Sequence, residues 1–213
     1  MEKFVIEGGV PLRGEVTPSG NKNAALPLLA ACILTDEPVV LRNIPRIQDV
    51  LIMKQLIESL GAQVDELDEK TWRITAREIR PASLDPDLCR RIRASILVAG
   101  PIAARVGALK LPPPGGDVIG RRRLDTHILS LRALGVDVEY DRGFTFQTAG
   151  LRGASILMDE ASVTATENAI MAAVRAKGKT VIHNAASEPH VQELCYFLNA
   201  LGANIEEIGS NTL

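Results

Sequence analysis

Apolar and polar positions along the chain follow two alternating periods. Ile47, Val50, Leu51, Met53, Leu56, Ile57 and Leu60 fall on one helical face, which predicts a helix over 47–60 stopped by a left-handed cap at Gly61. The same reasoning predicts helices over 24–34, 88–104, 124–134, 166–176 and 188–201. Short alternating runs predict strands over 3–7, 14–17, 38–41, 63–67, 72–75, 108–111, 136–140, 144–148, 180–183 and 204–207.

The elements repeat. Ile57-Glu58-Ser59-Leu60-Gly61-Ala62, Leu131-Arg132-Ala133-Leu134-Gly135-Val136 and Leu198-Asn199-Ala200-Leu201-Gly202-Ala203 are three versions of one helix end. The unit is helix, strand, helix, strand, strand, with a period of roughly 70 residues, which suits a domain with pseudo-threefold symmetry. From Leu41 to Gly61 is 20 residues and from Ile182 to Gly202 is again 20, but from Leu111 to Gly135 is 24. The connector of the second unit is therefore lengthened. The third unit ends soon after Glu207, and an unpaired strand edge there suggests part of a longer polypeptide.

Composition narrows the function classes. Hydrophobic residues make up 46%, enough for a packed core, whereas aromatics are only 3%, so that core must be built from Leu, Ile, Val and Ala. Few stacking side chains and a net charge of −2 argue against a nucleic-acid partner. No run approaches the ~20 apolar residues of a membrane span, and the first residues do not read as a signal peptide. Cys32, Cys89 and Cys195 lie far apart without metal-ligand spacing, which points to a reducing cytoplasm and to no metal or cofactor.

The lengthened connector carries the candidate chemistry. Pro112 to His127 collects prolines, glycines, Asp117, Arg121, Arg122, Arg123, Asp125 and His127. Glycines let the backbone approach a ligand, arginines bind phosphate as bidentate forks, and an acid beside an imidazole can move protons. The plainer reading is a turn with a solvated basic face. Ser19 or Asn21 caps the helix after Lys22, and Ser162 or Thr164 caps the one before Thr166-Glu167.

Ser19-Gly20-Asn21-Lys22-Asn23-Ala24-Ala25, Arg93-Ala94-Ser95-Ile96, Gly115-Gly116-Asp117-Val118-Ile119-Gly120, Arg122 to His127 and Ser162-Val163-Thr164-Ala165-Thr166 resemble segments of the enolpyruvyl transferase (EPSP synthase-like) family, in family order. The resemblance implies an inside-out α/β barrel domain of three βαβαββ repeats with internal helices. It implies repeats at about 22–80, 81–150 and 151–213, the last truncated. Family members have two such domains, so the chain resembles an N-terminal half. Residues 1–21 are expected to belong to the other domain, which is largely missing and is expected in cis.

The implied reaction moves the enolpyruvyl group of phosphoenolpyruvate to the 3′-hydroxyl of UDP-N-acetylglucosamine by addition and elimination, an early step of peptidoglycan synthesis. No cofactor, metal, nucleic acid or membrane is implied. Lys22 followed by Asn23-Ala24-Ala25 favours this branch over the shikimate-pathway enzyme, whose lysine is followed by serine. An inactive half that only binds the UDP-sugar is the other reading, because the family's aspartate base and carboxylate-binding arginines lie in the other half.

Residue roles follow from the resemblance alone. Lys22 and Asn23 match the phosphoenolpyruvate-binding pair. Arg93, Arg122, Arg123, Leu124, Asp125, Thr126, Ser162, Val163 and Thr164 match the UDP-N-acetylglucosamine site, and His127 matches a histidine near the phosphoenolpyruvate phosphate. Arg123 stands where many relatives have proline. Asp117 takes the place of the cysteine that donates a proton and is the target of fosfomycin. A carboxyl can donate that proton if its pKa is raised above ~4, and it would not form the thioether, so fosfomycin resistance is implied.

Overall fold

The computed structural model describes residues 3–80, 84–116 and 123–213. Helix α1 (Lys22–Ala31) runs into a 3-10 turn (Cys32–Leu34), then strand β1 (Val39–Leu41), helix α2 (Gln48–Ser59) and strands β2 (Gln63–Glu66) and β3 (Trp72–Thr75). Next come α3 (Pro86–Arg91), a 3-10 helix (Arg93–Val98), α4 (Ala99–Arg105), β4 (Ala108–Leu111), α5 (Asp125–Ala133), β5 (Asp137–Tyr140) and β6 (Phe144–Gln147). The last elements are β7 (Ser155–Leu157), α6 (Val163–Ala173), β8 (Val181–His183) and α7 (Pro189–Ala200).

Two antiparallel sheets share one topology, β1-β3-β2 and β4-β6-β5. Val39 faces Ile74 in the first, and Leu109 faces Phe146 in the second. β7 and β8 pair in parallel, and Ile182 exchanges both backbone hydrogen bonds with Leu213, at 2.8 and 2.9 Å. Asn211–Leu213 therefore lies beside β8 as β3 lies beside β1.

Helices α1, α4 and α6 are buried on nearly every side and lie inside. Ala165 to Ala172 of α6 are all buried, as are Ala99 to Ala103 of α4. A helix without a polar face has to be enclosed by protein. Small side chains let these helices approach closely: a Cβ on Gly100 would stand 2.4 Å from the Asn168 carbonyl oxygen. Trp72 and Phe146 join the aliphatic core, fully buried. Arg105 donates to the Ile33 and Thr35 carbonyls at 2.6 and 2.9 Å, and Arg175 to Leu34 at 2.9 Å, tying α4 and α6 to the C-terminal end of α1.

The three like helix ends adopt one cap. Gly61, Gly135 and Gly202 have φ of 105°, 95° and 100°. The amide after each glycine reaches back to the helix, Ala62 to Ile57, Val136 to Leu131 and Ala203 to Leu198, at 3.0–3.1 Å. This is the double-bonded left-handed cap that leaves few carbonyls unpaired.

Several expectations from sequence need correction. Residues 3–20 form no strand: Phe4, Val5, Ile6, Val10, Leu12 and Val16 are 77–97% exposed, and no described strand pairs with them. The helix expected over 88–104 is broken at Ile92, which is extended at φ −136°, ψ 136°. The break occurs because the Gly115 and Gly116 amides take the Cys89 and Arg90 carbonyls, each at 2.9 Å. No strand forms over 204–207, since the Asn199 side chain bonds both backbone groups of Ile205, at 2.8 and 2.9 Å, and Glu207 turns left-handed at φ 58°. Among the described residues no helix is long and apolar enough to cross a membrane.

Candidate active site

Two loci gather the residues singled out in the sequence. The first is the start of α1. Asn21 caps it, its side chain accepting from the Asn23 amide at 2.7 Å. Gly20 is required there, because a Cβ would lie 1.8 Å from the Asn43 carbonyl oxygen. Lys22 and Asn23 point to solvent, and Lys22 pairs with Asp49 of the first turn of α2 at 3.0 Å. Both partners are well exposed, so this pair adds at most about 1 kcal/mol to stability. It fixes where the ammonium sits rather than holding the fold.

The second locus joins the break at Ile92, the loop before α5 and the start of α6. Half-buried Arg93 donates to the Arg123 carbonyl at 2.7 Å. Gly116 lies against its backbone, since a Cβ there would be 3.0 Å from the Arg93 amide nitrogen. Gly115 and Gly116 thus fit the backbone against the end of α3. A Cβ on Gly115 would stand 1.9 Å from the Arg90 carbonyl oxygen.

Arg123 is exposed and pairs with Asp125, while Thr126 is buried and donates to Asp159 at 2.6 Å. His127 is buried, with Nε2 3.2 Å from Thr164 Oγ1 and Nδ1 3.1 Å from Asn168 Nδ2. Burial, and then the nearby Arg93 charge, pushes the His127 pKa down to about 3, so the ring is neutral.

Ser162 occupies the cap position of α6 but makes no cap hydrogen bond, contrary to the capping expected from sequence. The first amides of α6 therefore have no side-chain partner at the cap, and such amides favour negative charge. Asp117, Arg121 and Arg122 lie outside the described residues. Among the described residues no hydrogen bond or ion pair joins Lys22 and Asn23 to the second locus, although α1 packs on both the 3-10 helix at Arg93 and α6. Cavities of about 500 and 650 Å³ open beside α5 and beside β8. Neither is lined by Lys22, Arg93 or His127.

Sequence reasoning missed Asp49, Asp159, Glu167 and Asn168. The signal for the last two was present as polar residues inside the apolar run of α6. Glu167 is 1% exposed and its Oε1 has no hydrogen-bond partner among the described residues. Burial, and then the Glu188 charge, pushes its carboxyl up to about 8. The folded form thus holds its proton where the unfolded chain, near 4.5, releases it.

Stability from this group is complete below about pH 4.5 and lost as pH rises through 8, at up to about 1.4 kcal/mol per pH unit. His127 has the opposite slope, losing stability as pH falls from 6.5 toward 3. Glu167→Gln removes only the alkaline loss. Its melting temperature is expected to match the parent at pH 4.5 and exceed it increasingly up to pH 8; parallel curves would contradict the assignment.

The three cysteines are buried, and burial pushes Cys32 up to about 12 and Cys89 and Cys195 up to about 11. They are unreactive thiols. Among the described residues no cluster of His, Cys, Asp and Glu is suited to a metal ion.

Residues 6–213 match the profile of the EPSP synthase (3-phosphoshikimate 1-carboxyvinyltransferase) family. A UDP-N-acetylglucosamine 1-carboxyvinyltransferase of Treponema denticola is 54% identical over 213 residues, all of this chain and 50% of the relative. One of Bradyrhizobium diazoefficiens is 56% identical over 99% of this chain and 49% of the relative. The chain spans about half the length of these curated relatives.

Among solved structures, the enolpyruvyl transferase NikO from Streptomyces tendae superposes with a TM-score of 0.79 at 24% identity, over 96% of this chain and 48% of that one. EPSP synthase from Acinetobacter baumannii superposes with 0.73 at 16%, over 93% and 46%. At such identities these structures establish the fold only, an EPSP synthase-like α/β architecture. The match of sequence motifs, profile and fold over nearly the whole length shows that the chain belongs to the EPSP synthase family of enolpyruvyl transferases.

Proposed function

We propose that this chain carries the nucleotide-sugar and proton-donor part of an enzyme that transfers the enolpyruvyl group of phosphoenolpyruvate to the 3′-hydroxyl of UDP-N-acetylglucosamine, in cytoplasmic peptidoglycan synthesis. The observation that carries this reading is the convergence on Arg93. Gly116 and Arg123, which flank Asp117 and Arg122 in sequence, both contact Arg93. His127 and the uncapped start of α6 stand alongside. Relatives above 50% identity carry the name of that activity.

In this reading the sugar hydroxyl adds to C2 of phosphoenolpyruvate, giving its own proton to the aspartate base of the other half, while Asp117 gives a proton to C3. The tetrahedral adduct then loses phosphate and returns a proton from C3. Lys22, held by Asp49, and Arg122 neutralise phosphate as charge shifts onto it, the term that usually dominates such sites. Asn23 holds the sugar hydroxyl or the adduct. Arg93, Arg123, Leu124, Asp125, Thr126 and the Ser162–Thr164 turn hold the nucleotide. Residues 1–21, in which Phe4, Val5, Ile6, Val10, Leu12 and Val16 are exposed, pack on the second domain.

The test is phosphate release from phosphoenolpyruvate by the protein containing both halves. Release that depends on UDP-N-acetylglucosamine, and not on shikimate 3-phosphate, is expected. The reverse preference would overturn the assignment.

A further inference from the structure

The buried amide of Asn168 determines how His127 and Thr164 share a proton. Asn168 Oδ1 accepts from the Gly100 amide at 2.6 Å. Its Nδ2 donates to the Ile96 carbonyl at 2.9 Å and lies 3.1 Å from His127 Nδ1. A backbone N–H only donates and a carbonyl only accepts, so these two partners fix which end of the amide is oxygen. Nδ2 then has its second hydrogen left for His127. Nδ1 must accept it, and the neutral ring carries its proton on Nε2. Nε2–H in turn donates to Thr164 Oγ1, 3.2 Å away.

We infer that Asn168 is a positioning residue which, through the Nε2–H tautomer of His127, makes the Thr164 hydroxyl a dedicated donor to an acceptor oxygen of the uridine diphosphate group. Thr164 accepts from the histidine, so its own hydrogen is left for an external acceptor. No described protein group takes that hydrogen. Thr164 is half-buried in the first turn of α6, next to amides that also only donate. Thr164 and these amides therefore offer donors, which suits carbonyl and phosphate oxygens. Asn168 and Gly100 are both buried, so the internal packing of α4 on α6 sets the donor pattern at the surface.

This rests on the nucleotide-sugar reading above, and the experiment separates the two. In the chain with ring-15N histidine, long-range 15N–1H spectra should show His127 as the neutral Nε2–H tautomer. An Nδ1–H tautomer or an imidazolium at pH 7 overturns the inference. Asn168→Asp replaces the donor with a carboxylate acceptor and should move a proton onto Nδ1. An unchanged tautomer in the folded variant would show that Asn168 does not set it.

Thr164→Val keeps shape and removes only the hydroxyl. It should weaken binding of UDP-N-acetylglucosamine about tenfold, or about 1.4 kcal/mol, with the tautomer unaltered. Binding unchanged in Thr164→Val refutes this inference alone. An absence of binding in the parent, with the tautomer as assigned, refutes the nucleotide reading instead.

Discussion

Replacing Gly100 by alanine is expected to lower the unfolding free energy by about 3 kcal/mol, seen as a fall in melting temperature of roughly 6–12 °C for a chain of this size. The added Cβ would stand 2.4 Å from the Asn168 carbonyl oxygen and 2.5 Å from its Oδ1. A backbone oxygen inside a helix cannot swing away, so α4 and α6 have to separate. Separation opens a gap between two helices enclosed on all sides and forfeits the dispersion contacts of their small side chains. It also lengthens the 2.6 Å bond from the Gly100 amide to Asn168, which leaves buried polar groups short of partners. The same variant should lose affinity for UDP-N-acetylglucosamine, because His127 and Thr164 depend on that amide. A melting temperature within 2 °C of the parent would show that the helices adjust freely.

Asp117→Asn, in the protein containing both halves, is expected to lower turnover by about 10²–10⁴-fold, the range for losing one general acid. The amide keeps the size of the side chain but has no transferable proton, so binding of UDP-N-acetylglucosamine should persist while kcat falls. Asp117→Cys is expected to retain turnover and to become sensitive to fosfomycin, since a thiolate opens the epoxide and the carboxylate is expected not to. Full activity in Asp117→Asn would remove Asp117 from the chemistry. A fosfomycin adduct on Asp117 in the unmodified enzyme, with loss of activity, would remove the resistance argument.

Much of the architecture was legible in residue patterns because those patterns report burial. The face from Ile47 to Leu60 and the three glycine caps appear where periodicity and chirality put them. Periodicity does not report backbone continuity. Ile92 is buried whether the helix runs through it or breaks there, and the break depends on Gly115 and Gly116, far along the chain. Asn199 offered a similar surprise, since its side chain substitutes for the ladder that Ile205 was expected to join.

Of the candidate site, individual residues were legible but their couplings were not. His127 was singled out for a role near phosphate, and its ring lies buried between Thr164 and Asn168. Asn168 is 41 positions away in sequence, a distance at which no local pattern links two residues. Asp49 was hidden for a simpler reason. An acid in the first turn of a helix reads as a partner of the helix dipole, and only the fold brings Lys22 to it.

On the function proposed above, residues of this chain form a binding site for the nucleotide sugar. Isothermal titration of the 213-residue chain with UDP-N-acetylglucosamine tests it directly. Saturable binding is expected, with a Kd no weaker than about 1 mM, or about 4 kcal/mol, lost on replacing Arg93 with alanine. No saturable heat up to several times that concentration, about 5 mM, would contradict it.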